Sequence, residues 1–155
     1  MAGVVPVAIA LGSNLGDRAA LLQAALGALA PLVDGLRASS FHATAPVGVG
    51  EQPEFLNAAA VGRTTLSPDG LLTSLLEIER TFGRERPYPG APRTLDLDLI
   101  LYGDRVIDTT SLVVPHPRFR ERRFVLAPLA EIAADWRDPV TGRTVLALLE
   151  TLPPA

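Results

Sequence analysis

The chain has 155 residues, no cysteine and a formal charge of −3. That length suits one domain with a single core, and the missing cysteines exclude disulfides, thiol catalysis and thiolate metal sites. With 48% hydrophobic residues and no apolar run near the roughly 18 residues of a membrane span, residues 1–155 read as one packed domain rather than a disordered or membrane chain.

Val4–Leu11 is an apolar β-rich run, followed by turn and cap residues at Gly12–Asp17. Arg18–Leu32 repeats Leu21/Leu22, Ala25/Leu26 and Leu29 on one helical face, ended by Pro31 and Gly35. Arg37–Thr44 reads as one strand, Ala45–Pro53 as a Pro/Gly loop, and Phe55–Thr65 as the returning strand. Ser67-Pro68-Asp69 starts a helix whose apolar stripe runs to Phe82, with Gly83 as its stop. Glu79 stands at the edge of that stripe. Arg84–Pro92 is a second irregular loop, Leu95–Tyr102 a strand, and Gly103-Asp104 a turn. Short strands at Val106–Ile107 and Leu112–Val114, a loop at Pro115–Arg120, a proline-interrupted helix over Arg123–Ala134 and a helix over Thr144–Thr151 complete the chain. The order predicts an α+β fold of the ferredoxin-like βαββαβ type. Its helices cover one face of an antiparallel sheet, and a site is expected on the open face.

The basic residues are unusual: all 14 are arginine, which excludes lysine chemistry. Arg84, Arg86, Arg93, Arg118, Arg120, Arg122 and Arg123 crowd one stretch of an acidic chain. Such a cluster suits a small anionic ligand held by arginine forks, whereas the mild overall charge disfavours nucleic-acid binding. In Arg93-Thr94-Leu95-Asp96-Leu97-Asp98-Leu99-Ile100-Leu101, alternation puts the four leucines on one face and Asp96 and Asp98 on the other, roughly 6–7 Å apart. Adjacent carboxylates need a compensating cation, and hard oxygen ligands suit Mg²⁺. A solvated acidic face is the plain alternative. His116 and Arg122 follow in the next long loop, so carboxylates and arginines together form a parts list for transfer from a nucleoside triphosphate. Phe55 and Asn57 face one way on their strand, and with Phe124 they suit a flat heterocycle, though isolated phenylalanines are most often core residues.

Several blocks resemble the 6-hydroxymethyl-7,8-dihydropterin pyrophosphokinase family of folate biosynthesis. They are Ala10-Leu11-Gly12-Ser13-Asn14-Leu15-Gly16, Thr44-Ala45-Pro46-Val47-Gly48, Gln52-Pro53-Glu54-Phe55-Leu56-Asn57, Pro92-Arg93-Thr94-Leu95-Asp96-Leu97-Asp98-Leu99 and Val114-Pro115-His116-Pro117-Arg118. The resemblance implies transfer of the β,γ-pyrophosphoryl group of ATP to the pterin hydroxymethyl oxygen, leaving AMP. It implies that Asp96 and Asp98 bind two Mg²⁺ and that Arg84, Arg86, Arg93, His116 and Arg122 hold the nucleotide phosphates, with Arg84 and Arg93 catalytic. It places Glu79 and Leu99 on the nucleotide side. The pterin is expected between Phe55 and Phe124, with Asn57, Asp96, Thr44 and Val47 at its edge. Phe55 stands where relatives often carry tyrosine, and the Pro87–Ala91 loop lacks an Arg-Trp pair, so Tyr88 or Arg86 is expected to supply part of that contact. A cytoplasmic monomer or weak dimer, without nucleic-acid or membrane partners, is expected. Two other readings of the residues are a palm-like nucleotidyl transferase and a non-catalytic ligand sensor.

Overall fold

Val7, Ile9 and Leu11 alternate with Ala8 and Ala10, so the first strand, β1 (Val5–Ser13), is apolar on both faces and takes an interior place in the sheet. The computed structural model describes residues 3–14, 17–44, 55–82 and 95–153. After β1 come α1 (Arg18–Leu29), β2 (Asp34–Ala38), β3 (His42–Thr44), β4 (Phe55–Thr64), α2 (Pro68–Phe82) and β5 (Asp96–Tyr102). The sheet runs β2–β4–β1–β5, with β3 also on β4, and every pairing is antiparallel. This is the expected βαββαβ order. A short hairpin of β6 (Ile107–Asp108) and β7 (Val113–Val114), a 3-10 turn at Phe119–Glu121, α3 (Arg123–Ala133) and α4 (Val145–Glu150) follow. Side chains start three of the helices: Asp17 accepts from Ala20 N at 3.0 Å, Ser67 from Gly70 N at 3.0 Å and Thr144 from Ala147 N at 3.1 Å.

The strand expected over Arg37–Thr44 is two strands. At the break, buried Ser39 replaces the ladder with its side chain: its N–H donates to Ala59 O (2.8 Å) and its hydroxyl accepts from Ala59 N (2.9 Å). Pro128 lies inside α3 without interrupting it; it is buried and loses only one helical bond. The leucine stripe of β5 also changes side. Ile9 pairs Leu99 while Ala8 pairs Leu101, so Ile100 is an extra residue. Leu95, Leu97 and Leu99 face α1 and α2, whereas Leu101 packs on the opposite face with Ala8, not with the other leucines as alternation predicts.

Two apolar layers result. Leu22, Ala25, Leu29, Leu71, Leu75 and Ile78 cover Val7, Ile9, Leu11 and Leu97 on one face. On the other, Phe119, Val125, Leu126, Leu129, Val145 and Leu148 cover Ala8, Ala59, Val61 and Leu101. The second face is therefore partly covered by α3 and α4 rather than left open as expected, and beyond this cap it opens around Gly12 and Asp96. Gly62 lets β2 approach β4: a Cβ there would lie 2.5 Å from Val33 Cγ1 and 2.7 Å from Asp34 O. Gly62→Ala is expected to cost about 1–3 kcal/mol. A melting curve checks this, at about 2–4 °C for each kcal/mol in a chain of this size.

Candidate functional site

Register builds the site. Gly12 pairs Asn57 on one side and Asp96 on the other, and Asn57 pairs His42. His42, Asn57, Gly12 and Asp96 thus form one row across β3, β4, β1 and β5, on the face away from α1 and α2. Asp98 stands in the next row, opposite Ala10, and Phe55 opposite Thr44. Asn57 and Asp96 flank Gly12 with their backbones about 9–10 Å apart, two strand spacings, which spans a bicyclic ring. These residues line a cavity of about 640 Å³ together with Arg122, Arg123 and Phe124 from the start of α3. A larger cleft of about 980 Å³ lies at the other end of the same face, between Val4, Arg63 and Trp136, and holds none of the candidate site residues.

Polar and aromatic groups are set for a flat ligand. Asn57 is buried and its Nδ2 donates to Thr44 Oγ1 at 2.8 Å, which fixes the amide plane and turns Oδ1 toward Gly12. Phe124 keeps 40% of its surface exposed, with the Arg122 guanidinium 5.5 Å from its ring centroid. An exposed phenylalanine at a pocket mouth is a stacking surface. The missing Cβ of Gly12 matters here, since one would come 3.2 Å from Asn57 Oδ1. Gly12→Ala is expected to raise the KM of a ring-bearing substrate about tenfold by displacing that amide, leaving the KM of the second substrate unchanged in steady-state assays. In the sequence Gly12 stands in a turn and in one of the family-like blocks with no role at the site, and His42 carries no signal; pairing the strands in register is what reveals both.

The carboxylate strand is fastened along its outer edge. Glu79 is not an exposed helix-edge residue: it is 4% exposed, and its Oε2 accepts the Leu97 amide at 2.7 Å. The His116 amide donates to Ile100 O at 3.1 Å. Leu99 points its side chain into the layer below α1 and α2, away from the cavity. The His116 imidazole is held below its ordinary pKa, first by burial and then by Arg122 and Arg118, against the opposing pull of Asp98. Its Nδ1 accepts from Arg118 N at 3.2 Å, so the neutral ring presents Nε2–H as a donor.

The arginine cluster separates into different duties. Arg120 binds Asp138, Arg118 binds exposed Glu121 at 3.1 Å, and Arg123 donates to Pro153 O at 2.6 Å. Of the arginines expected at the anion site, Arg122 lines the cavity; Arg84, Arg86 and Arg93 lie outside the described residues, as do Val47 and Tyr88. The structure thus brings together Thr44, Phe55, Asn57, Asp96, Asp98, Arg122 and Phe124, with His116 close to Asp98. It leaves Glu79 and Leu99 behind the sheet. No helix among the described residues is long and apolar enough to cross a membrane.

The chain is similar to known proteins. Residues 8–134 match the family model of 7,8-dihydro-6-hydroxymethylpterin-pyrophosphokinase. A Synechocystis relative named 2-amino-4-hydroxy-6-hydroxymethyldihydropteridine pyrophosphokinase is 47% identical over 145 residues, covering 92% of this chain and 73% of its own. A Bacillus subtilis protein of the same name is 48% identical over 136 residues, covering 86% and 81%. The crystal structure of Plasmodium falciparum HPPK-DHPS wild type superposes with a TM-score of 0.76 at 12% identity, over 96% of this chain and 44% of that one. At that identity the superposition speaks for the fold alone, and this chain spans less than half of the solved one.

Proposed function

The chain belongs to the 7,8-dihydro-6-hydroxymethylpterin-pyrophosphokinase family, and from that premise we propose how its residues carry the reaction. It transfers pyrophosphate from ATP to 6-hydroxymethyl-7,8-dihydropterin, giving AMP and the pterin diphosphate, in folate biosynthesis. The pterin hydroxymethyl oxygen bonds to the β-phosphorus, the bond from that phosphorus to the α,β-bridging oxygen breaks, and the hydroxyl proton is released.

The observation that carries the assignment of roles is the single row of Asn57, Gly12 and Asp96 beneath Phe124. The pterin lies over Gly12, stacked between Phe55 and Phe124. Asn57 bonds one edge, Thr44 holds Asn57 in plane, and the backbone near Thr44 and Val47 takes further edge atoms. Asp96 sits at the other end of the row, which puts the hydroxymethyl group beside the carboxylates. Arg122 and the neutral His116 meet phosphate oxygens, joined by Arg84, Arg86 and Arg93, with Arg84 and Arg93 neutralising the transferred group. Glu79 acts on the nucleotide side through the strand it fastens, and Leu99 through its backbone, since its side chain is in the core.

Asp96 and Asp98 fit two Mg²⁺ ions. Both are hard oxygen donors on one face, and among the described residues no group of three or more metal-binding side chains gathers. Two carboxylates alone leave positions for phosphate oxygens and water, as Mg²⁺ prefers. When bound, the metal supplies charge neutralisation on the triphosphate and polarisation at the β-phosphorus. Everything else asked of this chain is alignment: the sheet row holds the acceptor, and α3 holds the ring from above. The proposal includes a cytoplasmic monomer or weak dimer with no nucleic-acid partner.

The test is AMP release from MgATP with and without the pterin. Pterin-dependent AMP is the expected product. Pterin-dependent ADP would mean that the γ-phosphorus is attacked and would sink the proposal.

A further inference from the structure

The pocket has two walls of different origin. One is the sheet edge, where β3 brings His42 and Thr44 and β4 brings Phe55 and Asn57; the other is α3, which brings Phe124 and Val125. Among the described residues β3 pairs only with β4, and over three residues. The gap between the walls sets whether a flat ring is gripped on both faces. We propose that Glu131 is a positioning residue that fixes this gap, tying the β3 wall to α3 through Ser40 and His42. The inference rests on the reading of the cavity as the pterin site.

Glu131 lies seven residues beyond Phe124, about two turns or 10 Å along the same helix. Its carboxylate accepts the Ser40 amide at 2.8 Å and the Ser40 hydroxyl at 2.8 and 2.9 Å. It also pairs with His42 Nε2. Burial acts to raise the Glu131 carboxyl, but the Ser40 amide, the Ser40 hydroxyl and His42 outweigh it and hold the group below its ordinary pKa. It is therefore a carboxylate at neutral pH. Ser39, the next residue back, is locked to Ala59 in both directions. The strand entering the pocket is thus held twice, to β4 by Ser39 and to α3 by Glu131.

A serine, a histidine and a glutamate in contact invite comparison with a nucleophilic triad. The geometry excludes it. Ser40 Oγ and Glu131 both meet the same ring nitrogen, Nε2, at 3.3 Å for Ser40. A triad needs the acid on one nitrogen and the hydroxyl on the other. Side-chain exposures of 30% for His42 and 36% for Glu131 also argue against a large stability role, because water screens the pair. What remains is distance-keeping between the walls.

Steady-state kinetics on Glu131→Ala and Glu131→Gln test this. Glu131→Ala is expected to raise the pterin KM about five- to tenfold, with ATP KM and kcat within about twofold of wild type. Glu131→Gln is expected to recover part of that loss, since its amide oxygen can still accept from Ser40. Ser40→Ala, which leaves the helix untouched, is expected to shift pterin KM in the same direction and serves if Glu131→Ala melts early. Direct fluorescence titration of the pterin reads the same effect without turnover. An unchanged pterin affinity, or equal losses for pterin and ATP, would overturn the proposal. Wild-type protein that binds pterin but makes no AMP would instead count against the reaction, and the titration would still decide on Glu131.

Discussion

Asp96→Ala and Asp98→Ala each lower AMP production by about a thousandfold or more, with little change in melting temperature. The size follows from the work asked of the two side chains. A metal-held phosphoryl group takes several kcal/mol of charge stabilisation, and about 4 kcal/mol is a factor of about a thousand. The small stability effect follows from placement. Asp98 is exposed and Asp96 half-buried, both on the cavity face, while the strand's hold on the core comes from Leu95, Leu97 and Leu99. Its edge is held separately by Glu79 and the His116 amide. The roles of both carboxylates are contradicted if either variant keeps more than about a tenth of wild-type turnover, a loss of only about 1.4 kcal/mol. Loss of activity together with a collapsed melting curve would point to a structural role instead.

Asp138→Ala is expected to show the reverse pattern, a large stability loss with the cavity residues untouched. Asp138 is fully buried, and Arg120 grips it with two nitrogens, one at 2.9 Å. Val140 N at 3.0 Å and the Thr141 hydroxyl at 2.8 Å complete its partners. Truncation leaves a partly buried guanidinium and an amide without acceptors, and such losses cost about 3–5 kcal/mol. Burial acts to raise the Asp138 carboxyl, but Arg120, Val140 and Thr141 outweigh it and hold it below its ordinary value. The folded state therefore binds this proton less readily than the unfolded chain. The pair's stabilisation is complete well above pH about 4, the ordinary value of an unfolded aspartate, and is lost progressively as the pH falls from there through the lower folded value. Denaturant titrations from pH 7 to 3 are the check: the wild type should weaken toward acid more steeply than Asp138→Asn. Parallel curves would mean that Asp138 titrates alike in both states.

Much of this was legible in the sequence, and the limits have physical causes. Periodicity located α1, α2 and the core strands because those segments bury one continuous face. The pair Asp96 and Asp98 was visible because charges interrupt a leucine strand. Leu101 was misplaced because a bulge leaves no mark in a run of apolar residues; Leu-Ile-Leu fits either face. The strand over Arg37–Thr44 was not divided because Ser39 acts through its hydroxyl on Ala59, a partner twenty residues away. Arg118, Arg120 and Arg123 looked like one anion site, yet each answers a local structural demand. Charge density alone does not say which guanidinium is spoken for. Glu79 was noticed at a helix edge, but its partner, a backbone amide on β5, belongs to tertiary structure.

The extra residue at Ile100 divides β5 into two stretches with different obligations. Up to Leu99, odd positions answer to folding and even positions to chemistry. Past it, Ile100 and Leu101 both answer to folding, on the same side of the sheet. A saturation library scored separately for abundance and for activity should therefore show a two-residue rhythm that stumbles at Ile100. Deleting that one residue would let the rhythm run on unbroken, with Leu101 still opposite Ala8 and Tyr102 still opposite Val7 on the α1–α2 side. The loss would then be confined to the Ile100 side chain in the second apolar layer, while the two aspartates four and two residues upstream stayed in register.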